Sequence, residues 1–445
     1  MVYPLLPSFT TTAELTNSNS KFGFINQAQI PFPQNANELA DCIKVCNFSK
    51  FGKIYINFTS CSNVSKIDEL NDETIDSILK LLNNGAAAII TTCQIGALIK
   101  AKIPNARLVY QVNSIQEVSK LEDSQAGVVF TAGAGVGVGA DNDVVVVPSA
   151  DEVSKINNHG KRLIFVDLTS ASVKDLKKNS LESVSSGLIP IVLSTNLTIE
   201  YEYEKVNGAS SIIPVVEFLT PLLKSDRSDG LFTTLVTDEN NQTLGLVYSS
   251  TKSISEAIKT QTGVYQSRKH GLWYKGATSG STQQLVSLDL DCDSDCLKFE
   301  VIQSGTGFCH LDTDSCFGVN GGLVKLEKVL RDRLANAPEG SYTKRLFDDE
   351  KLLNAKIKEE AEELTDAVDK DEIAWECADL FYFALTRCVK YGVSLADVER
   401  NLDVKSLKVT RRKGDAKPKF IEKEDASKTT AAKATVSAPV PLLLQ

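Results

Sequence analysis

The chain is 445 residues long, 42% hydrophobic and 24% charged, a balance that describes a soluble globular protein of roughly two to four domains with real cores to fill. Its net charge of -9 provides no basic footprint for nucleic acid, so a polyanionic ligand has to be held by a local site or through a metal. The longest apolar runs, at 85–91 and 144–148, fall far short of the ~20 residues of a membrane span, and residues 1–7 lack the basic start and apolar run of a secretory signal, so no membrane partner and a cytoplasmic location are expected.

Residues 1–222 alternate apolar, strand-like runs with amphipathic stretches. Strands are expected at 53–58, 87–92, 108–112, 127–131, 143–147, 162–166 and 189–193. The stretch 68–82 places Leu70, Ile75, Ile78 and Leu81 or Leu82 on one helical face. Apolar strands alternating with helices imply a mainly parallel α/β sheet, either open or curled into a partial barrel. The glycine-rich run Thr131-Ala-Gly-Ala-Gly-Val-Gly-Val-Gly-Ala140 follows a strand. Its glycines at 133, 135, 137 and 139 do not give G-x-G-x-x-G, and no Lys-Ser/Thr follows, so a loop is expected rather than a phosphate cradle. His159, beside Gly160, reads as a surface cap. Nothing here concentrates chemistry, and the role of this domain stays unassigned.

The texture changes near residue 225. Runs at 231–237 and 244–248 flank Asp238-Glu-Asn-Asn241 and predict a hairpin; 253–259 predicts a short helix. Cytosolic cysteines serve as free thiols or metal ligands more often than as disulfides. Of the ten present, Cys42, Cys46, Cys61, Cys93, Cys377 and Cys388 read as ordinary thiols. Four others lie close together, between Cys292 and Cys316. Read as an extended strand, Val286, Leu288, Leu290 and Cys292 point one way, while Asp291, Asp293 and Asp295 point the other. Carboxylates suit Mg²⁺ and thiolates suit Zn²⁺, so this segment, with Cys309-His310 and Cys316, is a candidate enzyme site. Just before it, Arg268 and Lys275 are candidate phosphate binders, and Gly276, Thr278, Ser279 and Gly280 offer amides and hydroxyls.

Beyond residue 322 the pattern is helical, with helices predicted at 323–334, 351–367, 371–389 and 395–402. On the second, Ile357, Ala361, Leu364 and Val368 form the apolar stripe, while Glu359, Glu360 and Glu363 cluster on one side of a turn. The next helix carries Glu376 and Asp379 one turn apart, with Ala374, Ala378, Phe381 and Leu385 expected to face the core. Like charges at these spacings repel, so their density suggests a cation. Residues 413–445 read as a low-complexity, solvated tail.

Two resemblances sharpen this reading. Residues 226–318, with Lys275-Gly-Ala-Thr-Ser-Gly280, Asp291-Cys-Asp-Ser-Asp295, Cys309-His310 and Cys316, closely resemble phosphoribosyl-AMP cyclohydrolases, which open the adenine ring of phosphoribosyl-AMP. The resemblance implies zinc on Cys292, Cys309 and Cys316, the first from one subunit and the others from its partner, hence a homodimer with a shared zinc site. It also implies magnesium on Asp291, Asp293 and Asp295, and proton transfer by His310. The family reads Lys-Gly-Glu-Thr-Ser-Gly where this chain carries Ala277, and a small apolar residue is usual at Cys296.

Residues 322–412, with Glu-Glu-x-x-Glu, twelve residues and then Glu-x-x-Asp, resemble phosphoribosyl-ATP pyrophosphohydrolases, and Gly340-Ser-Tyr-Thr343 matches that family's entry motif. The resemblance implies Mg²⁺ on Glu359, Glu360, Glu363, Glu376 and Asp379, a water activated for cleavage between the α and β phosphates with Glu360 and Glu363 as catalytic carboxylates, and substrate contacts from Tyr342, Thr343 and Lys356. The order of the two regions after a long α/β segment is similar to that in fungal multifunctional histidine-biosynthesis proteins. In those, histidinol dehydrogenase follows; the residues present here are expected to supply the two hydrolase activities alone. The alternative is a regulatory or scaffold protein with decayed sites, favoured by Ala277 and the motif-poor first half.

Overall fold

The computed structural model describes residues 3–17, 19–48, 51–59, 72–118, 120–121, 127–131, 163–170, 173–201, 212–318, 321–411 and 414–415. Its first half is a closed barrel of eight parallel strands: β1 Leu6–Ser8, β2 Gln27–Pro31, β3 Lys53–Phe58, β4 Ala86–Thr92, β5 Leu108–Val112, β6 Gly127–Thr131, β7 Leu163–Asp167 and β8 Ile189–Leu193. Periodicity leaves an open sheet and a partial barrel as alternatives. The barrel is complete because Leu6, Pro7 and Ser8 pair with Ile191, Val192 and Leu193. A three-residue strand is too short to show period two in sequence. The strand expected at 143–147, the glycines at 133–139, His159, Leu70, Cys61 and most of the tail lie outside the described residues.

Leu6, Tyr55, Ala88, Ile90, Val109, Val129, Phe165 and Ile191 form one buried cluster drawn from seven of the eight strands, which is how a small parallel barrel fills its lumen. The outer faces pack against helices Ala36–Phe48 (α1), Asp72–Asn83 (α2), Cys93–Ile99 (α3) and Val173–Ser185 (α4). In α2 the buried residues are Ile75, Ile78, Leu81 and Leu82, the face that the sequence predicts.

After a short parallel pair, β9 Leu197–Thr198 and β10 Ile213–Pro214, the chain builds a four-stranded sheet from β11 Phe232–Thr237, β12 Thr243–Ser249, β15 Gln283–Leu290 and β16 Cys296–Gln303, in the order β12-β11-β16-β15. β11 and β12 form the expected antiparallel hairpin. Helix Thr251–Thr260 (α5) starts at a capping box in which Ser250 and Ser253 exchange hydrogen bonds, satisfying amides that a helix start otherwise leaves unpaired. A separate hairpin joins β13 Val264–Ser267 to β14 Gly271–Tyr274. Barrel and sheet share one continuous apolar core, with Phe24, Ile25 and Phe218 in the same cluster as Val236, Leu288 and Phe299. Tyr3 Oη, fully buried, donates to the carbonyl of Val215 at 2.8 Å.

Five helices follow: Gly322–Asn336 (α6), Tyr342–Asp348 (α7), Glu350–Asp366 (α8), Lys370–Lys390 (α9) and Leu395–Ser406 (α10). Their cores are small, one built on Leu330, Phe347, Leu385 and Val389 and another on Leu346, Leu353 and Phe383. The expected core stripe is only partly covered: Ala374 and Ala378 are exposed, and Val368 and Phe381 are 86% and 47% exposed. The fully buried positions of α8 are instead Leu353 and Glu360, because α9 packs across the acidic side of α8. The segment after α10 ties back to the barrel: the Arg107 guanidinium donates to the carbonyls of Leu407 and Ala86, and the Val409 amide to Asn83 Oδ1 at 2.9 Å. Residues 410–445 form a separate unit.

Candidate active sites

The acidic segment is not a strand. β15 ends at Leu290, and residues 291–295 form a bend before β16. In an extended chain Asp291 and Asp295 would stand roughly 13 Å apart; here oxygens of Asp291, Asp293 and Asp295 all lie within 4.8 Å of one another. The reversal uses Ser294 at φ 67°. Asp291 Oδ1 accepts from the Cys296 amide at 3.0 Å. Lys224 holds the bend from outside, its amide donating to Ser294 O and its Nζ to Asp293 O, both at 2.8 Å. Partial burial works against ionisation of Asp291, but hydrogen bonds from Cys296 and its acidic neighbours outweigh it and leave the group below the usual carboxylate range. Asp295 is held above that range by its hydrogen bond to Asp291 and by the charges of Asp293 and Asp291.

The Cys309 and Cys316 thiols lie close enough to shift each other's ionisation. Cys316 is fixed by its amide, which donates to Leu244 O on β12 at 2.8 Å. Gly245 makes room for the pair, since a Cβ there would stand 2.3 Å from Phe308 Cε1 and 3.2 Å from Cys316 Sγ. Hydrogen bonds from the Leu311 amide and the Thr313 side chain lower the Cys309 thiol, whereas burial and Cys309 itself raise Cys316. Lys275 is buried beside them, its Nζ 3.2 Å from Ser281 O, 3.5 Å from Gly307 O and 5.5 Å above the Phe308 ring. Burial lowers its pKa, and the two thiols oppose that shift. His310 is exposed, with Nδ1 3.8 Å from Cys309 Sγ.

Cys292 is exposed on the acidic bend, 3.8 Å from Asp293 Oδ1. Among the described residues no cluster gathers Cys292 with Cys309 and Cys316, so the three thiols grouped in sequence do not meet within one chain. Ala277, Thr278 and Ser279 are exposed on a tight turn closed by the Gly280 amide on Gly276 O at 2.9 Å. Gly276, at φ +84°, is required there because a Cβ would stand 2.5 Å from the Ser281 backbone. Arg268 is exposed, its guanidinium 5.0 Å above the Tyr248 ring that also carries Arg227 at 4.1 Å.

In the helical region the predicted carboxylates converge. Glu359, Glu360 and Glu363 form one cluster, and Glu360, Glu376 and Asp379 a second, so Glu360 belongs to both. Glu360 is only 3% exposed. Lys356 Nζ lies 2.6 Å from Glu360 Oε1, 2.9 Å from Glu359 Oε1 and 5.2 Å above the Phe383 ring. Partial burial and the charges of Glu363, Glu360, Asp379 and Glu372 raise the Glu376 carboxyl. One lysine against five carboxylates leaves the cluster short of positive charge. Ser341 caps α7 through its side chain, and Thr343 Oγ1 stands 3.1 Å from Tyr382 Oη. Tyr382 has no signal of its own in sequence; only the packing of α7 on α9 reveals it.

A strand-rich unit with neighbouring thiols and an acidic bend, followed by a helical unit with five converging carboxylates, defines two domains, each with a candidate metal-binding site, following a barrel. Two family models match: Phosphoribosyl-AMP cyclohydrolase over residues 245–318 and Phosphoribosyl-ATP pyrophosphohydrolase over residues 323–406. The chain is 45% identical over 377 residues to a histidine biosynthesis bifunctional protein of Schizosaccharomyces pombe, covering 81% of this chain and 86% of the relative. It is 48% identical over 424 residues to a histidine biosynthesis trifunctional protein of Komagataella pastoris, covering 95% of this chain and 46% of the relative. A bifunctional protein, HisIE, of Bacillus subtilis is 36% identical over 187 residues, 38% of this chain and 88% of the relative. The chain thus spans about half the length of the trifunctional relative from Komagataella. It belongs to the family of histidine-biosynthesis bifunctional and trifunctional proteins. Neither matched family model extends into the barrel.

Proposed function

We propose that the chain catalyses two successive hydrolyses: phosphoribosyl-ATP to phosphoribosyl-AMP and pyrophosphate in the helical domain, then opening of the adenine ring of phosphoribosyl-AMP in the strand-rich domain. The observation that carries this is the convergence of both acidic groups inside the two regions matched by the corresponding families.

The helical carboxylates fit a hard divalent cation, because Glu360 is buried and the raised Glu376 reports uncompensated negative charge. Glu359, Glu360, Glu363, Glu376 and Asp379 would hold Mg²⁺, which supplies neutralisation of the triphosphate and acidification of the attacking water. Glu360 and Glu363 orient that water and accept its proton. Lys356, Tyr342 and Thr343 position the phosphates.

In the strand-rich domain Asp291, Asp293 and Asp295 fit a second Mg²⁺, and the Cys309–Cys316 pair fits a thiophilic metal such as Zn²⁺, which supplies a water of lowered pKa. The third thiolate, Cys292, comes from a second copy of the chain, so the active form is a homodimer; the exposed apolar stripe of the helical domain supports association. His310 shuttles a proton at the reacting ring. Thr278, Ser279 and Arg268 bind the substrate's phosphate. Lys275 faces the thiols, so its charge serves them at least as much as the substrate.

No helix among the described residues is long and apolar enough to cross a membrane, and we place the protein in the cytoplasm, where its thiols stay reduced. The deciding test is product mass analysis after incubating the purified chain with phosphoribosyl-ATP, Mg²⁺ and Zn²⁺. Ring-opened product is expected. Unconsumed phosphoribosyl-ATP would overturn the helical assignment, and accumulated phosphoribosyl-AMP the assignment of the strand-rich domain.

A further inference from the structure

The barrel changes character along its axis. Side chains alternate along a strand, so the residues two positions beyond the lumen cluster point into the same interior, one layer nearer the C-terminal ends. The lumen cluster is apolar or aromatic, from Leu6 and Tyr55 through Phe165 and Ile191. The next layer is Ser8, Asn57, Thr92, Gln111, Thr131 and Asp167, joined by Gln29 of β2. It is polar in seven of the eight strands, while β8 contributes the apolar Leu193.

These side chains are arranged rather than merely wetted. Gln29, 3% exposed, donates from Nε2 to Ser8 Oγ at 3.2 Å. Thr131 Oγ1 donates to Asn113 Oδ1 at 2.9 Å. Asn57 and Asp167, on opposite parts of the ring, each accept from a hydroxyl and an amide two residues on, Thr59 and Thr169. Beside them opens a cleft of about 540 Å³ lined by Thr92, Gln94, Gln111, Asn113, Glu117 and Thr131 among others, within the usual size of a ligand site. Glu117 is pinned by the Asn113 amide at 2.8 Å. Parallel barrels with helices outside carry their sites at this C-terminal end.

We propose that this end of the barrel is a third ligand site, taking an uncharged, polyhydroxylated molecule of sugar size. The polar lining is mainly amide, hydroxyl and carboxylate, set beside the apolar surface of Cys93 and Leu121. Amides and hydroxyls offer donors and acceptors side by side, and a carboxylate accepts from paired hydroxyls. The cleft lining sets one ammonium, Lys120, against the carboxylate of Glu117, with Asp167 nearby, which disfavours an anion such as phosphate. This inference stands apart from the two hydrolase assignments.

The test is ligand-observed NMR on the full chain with D-xylose, D-glucose and maltose, with inorganic phosphate as the anionic control. Saturable binding of at least one sugar is expected, weakened tenfold or more in Gln111→Leu and in Gln94→Leu, the latter an exposed position that folding tolerates. Pyrophosphate release should stay at the wild-type rate in both variants. Absence of saturable sugar binding, binding by both variants as tight as by the parent chain, or preferential binding of phosphate would overturn the proposal.

Discussion

In the helical domain Glu359, Glu360 and Glu363 converge because a helix returns to the same face every three to four residues. In the strand-rich domain oxygens of Asp291, Asp293 and Asp295 also come within 4.8 Å of one another, because the chain abandons the period that would have kept them apart. The first site is written in local periodicity and is assembled within one chain. The second depends on a bend held by Lys224, a thiol pair brought in from residues 309 and 316, and a third thiol that stays away. A site on regular helices is set by local spacing; a site on loops depends on residues distant in the sequence.

The sharpest way to break that contrast is to remove one ligand from each site. Cys309→Ser is expected to lower ring opening by about 100-fold or more, beyond the usual loss on removing a mere supporting partner of a metal ligand, with pyrophosphate release unchanged. Glu360→Gln should do the reverse, lowering pyrophosphate release by about 100-fold and sparing ring opening. Loss of both activities in either variant, followed by product mass analysis, would show that the two sites are not independent.

Dilution sharpens the comparison next. If Cys292 of one chain serves the thiol pair of another, ring opening per chain should fall with protein concentration as dimer dissociates, while pyrophosphate release falls less. Sedimentation equilibrium alongside both rates checks this. A monomer with full ring-opening activity removes the shared site.

A smaller effect concerns charge. Glu376 sits above the ordinary carboxylate range in the folded protein, so the folded state binds its proton more readily than the unfolded state. Its contribution to stability is therefore favourable at low pH and is lost as pH rises through the raised value. In the absence of Mg²⁺, Glu376→Gln should raise the Tm at neutral pH. That gain should disappear as pH falls and Glu376 becomes neutral in the parent protein. Calorimetry in chelator across the acid range measures it, and a gain that persists at low pH would place its cause elsewhere.

The least disruptive change is Ala277→Glu. Ala277 is exposed on the turn of Gly276–Gly280, so the added carboxylate meets no steric barrier. Ring opening is expected to change by less than about tenfold, equivalent to less than ~1.4 kcal/mol in the barrier. A larger rise would mean that the missing carboxylate limits this protein.

Sequence reading worked where spacing carries the information. The acidic helices, the β11–β12 hairpin and the face of α2 follow from periods of 3.6 and two, and most barrel strands from short apolar runs set between helices. It misread 291–295 because alternation of Asp with Cys and Ser imitates a strand, whereas the left-handed Ser294 turns the chain. It misjudged the core face of α8 because burial of Glu360 depends on how α9 crosses it. Barrel closure escaped it because three residues of β1 carry no period.

By itself the sequence determined the chemistry: which carboxylates and thiols exist, their order, and the residues that periodicity places on one helix face. Tertiary structure decided which of them meet. Closure of the barrel through Leu6–Ser8, fusion of its core with the sheet, the distance kept by Cys292 and the polar C-terminal layer of the lumen all depend on contacts between residues far apart in the chain. Such contacts are set by packing and loop closure, and no local spacing encodes them.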